Sequence, residues 1–176
     1  MPRLAAAALI LLATSGAALA DKAPWAPSKE GKIECFASNM DRKTCQSMNT
    51  YRWVDDTHVV GEGRGYVTGF RSDIVVIASW EAEIKGDRNC FVSRESDWMK
   101  VRFEKDGKPL PAEEAEDMRK KALAAMKENF GRKFCIRLGK YGREYTAQMS
   151  VDDTEIPSAS NWVAWIDPSE GFTLSP

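Results

Sequence analysis

The chain has little of what catalysis and metal binding usually draw on. Its 176 residues include one histidine, His58, and four cysteines, none of them in a C-x-x-C spacing, so the thiolate and imidazole sets that hold zinc are missing. No G-x-S-x-G elbow accompanies the histidine, which deprives a Ser-His-Asp nucleophile of its frame. Charge of one sign is missing too. The 25 basic and 26 acidic residues leave a net charge of −1, spread along the chain. Without a basic stripe nothing neutralises a phosphate backbone, which argues against nucleic acid as a partner.

The one long apolar run stands at the start. Arg3 precedes Leu4 to Leu12, and the stretch ends in Ala18-Leu19-Ala20 before Asp21. A short positive start, a compact apolar segment and small residues two apart are what a leader peptidase requires, so Met1–Ala20 is expected to be a signal peptide cleaved after Ala20. The segment falls short of the roughly 20 residues of a bilayer span, so no membrane span is expected after cleavage. The first cysteine is Cys35 and no Arg-Arg pair precedes the run, which removes lipid attachment and folded export. The expected product is a bacterial protein, exported unfolded to the periplasm or secreted, and carrying no cofactor.

What is present describes a folded domain. Hydrophobic residues make up 43%, charged residues 29%, and there are six tryptophans, a composition able to build a core. Residues 21–32, with Pro24, Pro27, Ser28 and Gly31, read as an extended lead-in ordered in part by Trp25, and residues 33–176 as a single domain. Cys35, Cys45, Cys90 and Cys135, even in number and in an exported chain, imply two disulfides. Three pairings are open. The turn-like Ser38–Asp41 favours Cys35 with Cys45, which leaves Cys90 with Cys135 tying a strand to the segment after a helix.

Most segments alternate with period two, as strands with two different faces do. Over Arg143–Asp152, Tyr145, Ala147, Met149 and Val151 share one side. Over Asp73–Lys85, Ile74, Val76, Ala78, Trp80, Ala82 and Ile84 do the same. Further strands are predicted at 33–37, 44–54, 57–68, 89–93, 98–105, 133–138 and 161–166, with turns at Asp55-Asp56, Gly86-Asp87, Asp106-Gly107 and Gly139–Gly142. One helix begins at Pro111, with Glu113, Glu114 and Glu116 in its first turns, an apolar stripe through Ala115, Met118, Ala122, Ala125, Met126 and Phe130, and Gly131 as its stop. Arg119, Lys120, Lys121 and Lys127 then face water. The fold class expected is α+β: a mostly antiparallel meander sheet with one long helix packed on one face, and two disulfides.

For function the pattern offers surfaces more than chemistry. Gly61-Glu62-Gly63-Arg64-Gly65 cannot cradle a phosphate, because Tyr66-Val67-Thr68 continues a strand where a helix is needed. Alternate glycines instead leave one strand face bare, open to close packing or to a flat ligand. Trp162 and Trp165 face opposite sides of their strand, so one of them is free to meet a partner. The expected role is a non-catalytic binding module for a protein or cell-envelope component, using Arg64, Tyr66, Trp162 and Trp165, with neither catalytic nor metal-ligating residues. The alternative is a cell-wall hydrolase with two carboxylates from distant segments. The adjacent acids Asp55-Asp56 and Asp152-Asp153 read as turns, and Asp167–Gly171 lacks the spacing of a calcium loop.

Overall fold

The computed structural model describes residues 23–66, 71–157 and 161–175. The leader read from Met1–Ala20 and the last residues of the strand read from 57–68 lie outside them. In chain order the elements are α1 (Ala26–Lys29), β1 (Ile33–Phe36), β2 (Thr44–Cys45), β3 (Ser47–Trp53), β4 (His58–Gly65), β5 (Val75–Lys85), β6 (Arg88–Val92) and α2 (Glu95–Trp98). There follow β7 (Arg102–Lys105), β8 (Lys108–Pro109), α3 (Ala112–Met126), β9 (Lys133–Tyr141), β10 (Glu144–Val151), β11 (Thr154–Glu155), β12 (Asn161–Ile166) and β13 (Thr173–Leu174).

The strands β1, β3, β4, β5, β6, β9, β10 and β12 each pair antiparallel with the next, and β12 returns to β1, placing Ile33 opposite Ile166 and Phe36 opposite Val163. The sheet thereby closes into an eight-stranded barrel. This corrects the expected α+β sheet with one long helix on one face. A meander closed on itself fills its inside with its own alternate side chains and offers no open inner face for a helix to cover. Val59, Ala82, Ile84, Leu138, Ala147 and Val163 make that inner core. Trp25, which precedes α1 and is 1% exposed, packs among them, and its indole N–H donates to the Asp87 carbonyl in the β5–β6 turn at 3.1 Å. The expected extended lead-in is therefore a short helix whose tryptophan is part of the barrel core.

Strand β5 is longer than the barrel needs. Its last residues, Glu83–Lys85, pair with β6, whereas its first, Val75–Ile77, pair with β7. Helix α3 belongs to this extension: Met118 and Ala122 pack with Ile74, Val76, Val101 and Phe103 in a second core. The segment predicted as a strand from Trp98 instead turns through α2 and begins β7 only at Arg102. Gly139–Gly142, predicted as a turn, carries β9 on to Tyr141 before reversing.

Both disulfides follow the favoured pairing, Cys35 with Cys45 and Cys90 with Cys135. Cys90 and Cys135 are directly opposed on β6 and β9. Cys35 and Cys45 are buried with Ala164 and Ile166 in a third cluster, beside the parallel pair that β13 makes with β2. Two such bonds place the protein in an oxidising compartment. Among the described residues no helix is long and apolar enough to cross a membrane.

Candidate functional site

The inward faces of the barrel are not uniformly apolar. Glu34 on β1 is 0% exposed, and its Oε2 accepts hydrogen bonds from Asn49 Nδ2 at 2.7 Å and from the Tyr51 hydroxyl at 2.5 Å, both on the neighbouring β3. Its Oε1 has no hydrogen-bond partner among the described residues. Burial raises the carboxyl above its ordinary value, and the two donated bonds oppose that rise. The Tyr51 phenol is pushed well up by burial and by the adjoining Glu34, while Asn89 on β6 acts in the opposite direction.

Beside this cluster lies a cavity of about 360 Å³, within the range of small-molecule sites. Its walls include the rings of Trp80, Phe91, Trp98 and Phe134, the side chains of Ile136 and Met126, and the polar groups of Asn49, Asn89 and Ser93. Phe91 and Phe134 are stacked, with centroids 5.5 Å apart and planes at 13°. Three polar atoms of the lining are buried without a partner among the described residues: Asn89 Oδ1, Ser93 Oγ and Trp80 Nε1. Most buried polar groups in folded proteins are hydrogen-bonded, so a group of orphans around one hollow calls for a water or ligand.

The glycines of β4 explain how Trp80 fits. Its indole lies on Gly61 and Gly63, where an added Cβ would come within 2.5 Å and 3.0 Å of the ring. The bare strand face thus points inward and is occupied by a tryptophan of the next strand.

The cavity reaches the surface where the barrel wall divides. Between the stretch of β5 that pairs with β7 and the stretch that pairs with β6, residues Ala78–Ala82 have no strand on that edge among the described residues. Arg94, at the start of α2, spans the interval, its Nη1 donating to Glu81 Oε2 at 2.8 Å. Ser79, Val92 and Arg94 both line the cavity and are exposed. A second hollow of about 360 Å³, bordered by His58, Glu83 and Lys133, shares Phe91, Val92 and Arg94 with the first.

The four residues singled out from sequence fall in different places. Trp165 faces the barrel core, edge-on to Trp25 at 5.8 Å. Trp162 is 44% exposed on the outside, against Tyr141 at 5.2 Å. Arg64 also faces outward, but pairs with Glu104 at 3.3 Å, and β4 stands three strands from β12 around the barrel. Tyr66 is half-buried just past β4, its backbone N–H bonded to the Gln46 carbonyl at 3.1 Å. The structure brings none of these four to the cavity. The adjacent acids are turns: the Asp55 carboxylate accepts from the Thr57 and His58 backbone N–H groups, each at 2.8 Å, and these bonds hold it well below the usual carboxylate range. Asp152 and Asp153 are in left-handed backbone between β10 and β11. Among the described residues no group of three or more His, Cys, Asp or Glu side chains is placed to hold a metal ion.

Sequence reasoning missed Glu34, Asn89 and Ser93. Period-two spacing over residues 33–37 separates two faces without saying which is inside. Compared with protein-family models, curated proteins and solved structures, the chain matches none.

Proposed function

We propose that this protein is an exported binding protein that holds a small, mainly apolar molecule inside its barrel, acting in the periplasm or outside the cell. The observation that carries this reading is the aromatic-lined cavity whose buried Asn89 and Ser93 oxygens have no partner among the described residues. Apolar walls with a few placed polar groups are the usual composition of a ligand site. The division of the wall beside β5 gives a path to the cavity without opening the barrel. A cell-wall hydrolase finds less support, since it needs two converging carboxylates and Asp97 is the one carboxylate in the lining among the described residues.

Titration with N-phenyl-1-naphthylamine, a neutral dye that brightens in apolar surroundings, tests the reading. Saturable enhancement at one dye per protein is expected. Ala78→Phe, which places a ring in the lining, should weaken it at least about tenfold, a loss of about 1.4 kcal/mol. A response that does not saturate, or that is equal in a folded Ala78→Phe variant, overturns the proposal.

A further inference from the structure

Resting on the cavity as a binding site, we propose that its ligand is an arylalkyl ammonium ion, seated with its charged end toward Glu34. The hydrogen-bonding groups at that end lead to this class. Asn49 Nδ2 and the Tyr51 hydroxyl, both in the lining, direct their protons to Glu34 Oε2 at 2.7 Å and 2.5 Å. Asn89 acts on the Tyr51 oxygen as an approaching N–H does. Its amide nitrogen is thus turned to Tyr51, and its Oδ1 is left without a partner among the described residues. What these three groups still offer is lone pairs, and an ammonium answers several lone pairs at once.

The other unpartnered atoms of the lining do not alter that balance. Trp80 Nε1 lies over Gly61, 2.9 Å from where a Cβ would stand, and so faces β4. Ser93 stands beyond Phe91 at the end of β6, about 13 Å from Asn89 at the rise of an extended chain, and marks the far end of the hollow.

The counter-charge is already in place. Glu34 is 0% exposed, its Oε1 is unpartnered, and no cation is among the described groups that act on it. A buried carboxylate without a cation is destabilising, and a ligand that brings one relieves it. Glu34 is not itself in the lining. Tyr51 and Asn49 stand between, so the ammonium contacts their oxygens and faces the carboxylate through them.

Rings supply the rest of the site. Tyr51, Trp80, Phe91 and Phe134 follow one another along the hollow, with successive centroids 6.4, 6.1 and 5.5 Å apart, and Trp98 borders it too. Ring faces attract a cation within about 6 Å, and an aryl body meets the remaining rings edge-on or offset. At the mouth Arg94 engages Glu81 at 2.8 Å, with Asp97 acting on it as well. Those exposed charges are paired and discriminate little.

The test uses three probes on one skeleton: 2-naphthylmethylammonium, 2-naphthylmethanol and 2-naphthoate, each titrated by calorimetry into the purified protein near neutral pH. The ammonium is expected to bind about tenfold tighter than the alcohol and about a hundredfold tighter than the carboxylate. Glu34→Gln should reduce the preference for ammonium over alcohol to about twofold, a larger loss than Asp97→Asn causes. Where Glu34→Gln fails to fold, Tyr51→Phe, which removes the oxygen between the carboxylate and the hollow, is expected to lower the preference in the same direction. Alcohol or carboxylate bound as tightly as ammonium, an unchanged preference in the folded Glu34 or Tyr51 variant, or a larger loss in Asp97→Asn overturns this inference and leaves the cavity reading standing. Failure of all three probes where N-phenyl-1-naphthylamine binds does the same, and failure of the dye as well overturns both.

Discussion

A methyl group at Gly61 would stand 2.5 Å from the Trp80 ring, closer than any carbon contact tolerates. Gly61→Ala therefore has to push the indole off the strand, an overpacking cost of about 1–3 kcal/mol. At the exposed Gly139 the same change meets Thr146 Oγ1 at 3.1 Å and the Thr146 carbonyl at 4.0 Å and should cost less. Urea unfolding of the two variants checks the order, and equal midpoints would contradict the packing described. The bare glycine face was legible in the sequence. That it points inward was not, because period-two spacing names two faces without saying which is inside. Glu34 illustrates the same blindness: alternation separates it from Cys35 without telling inside from outside, and Cys35 faces the outer cluster and Glu34 the interior. The consequence is a pH dependence. Burial raises the Glu34 carboxyl, so the folded state keeps the proton to higher pH than the unfolded chain does. The stability this group contributes is complete below its unfolded value and is lost as pH rises through the folded one. Glu34→Gln cannot ionise and should melt above the parent protein at pH 8, with the gap shrinking toward about pH 4.5. Calorimetric melting points across that range decide the matter; a gap that widens on acidification would show the carboxylate to be stabilising.

Among elements, the strands were largely legible and the short helices were not. Alternation at 74–84 and 143–152 identified β5 and β10 and grouped their inward residues together, as the barrel does. Helices α1 and α2 span four residues each, too few for helical period to emerge from a list of side chains. Trp98, read as the start of a strand, instead ends α2 and lines the cavity. Helix α3 was read from its acidic first turn and its Met118 and Ala122 stripe, but it ends at Met126, short of the predicted Phe130 and Gly131, with Ala125 exposed, and its seat is the β5–β7 extension and not an open sheet. The disulfides act at this scale. Cys90–Cys135 spans 45 residues and Cys35–Cys45 spans 10, and constraint of the unfolded chain grows with that span, to about 4 against about 3 kcal/mol. Cys90→Ala with Cys135→Ala should accordingly lower the unfolding free energy more than Cys35→Ala with Cys45→Ala. The reverse order in guanidinium melts would mean that the buried cluster around Ala164 and Ile166 outweighs loop closure.

At the scale of the whole molecule the missing information was closure. Seven of the eight barrel contacts join barrel strands in their chain order, although β2, the segment from α2 to α3 and β11 intervene at three of them. The eighth joins β1 to β12, Cys35 opposite Ala164, and nothing local announces it. Closure divides the protein into two bodies of different stability. The barrel is closed apart from the unpaired edge of Ala78–Ala82 and holds its own core, whereas β7, β8 and α3 are attached along Val75–Ile77 and through the second cluster. Opening of the extension need not open the barrel. Native-state hydrogen exchange should therefore show α3 amides opening at a free energy about 2 kcal/mol or more below that of β9 and β10 amides, which exchange only with global unfolding. The cavity links the bodies, because Trp98 and Met126 line it from the α2 and α3 side and Phe91, Phe134 and Ile136 from the barrel. A molecule seated there touches both, so saturating N-phenyl-1-naphthylamine should raise the opening free energy of α3 toward that of the barrel. Exchange in α3 that already matches β9 and β10 without ligand would mean that barrel and extension fold as one unit.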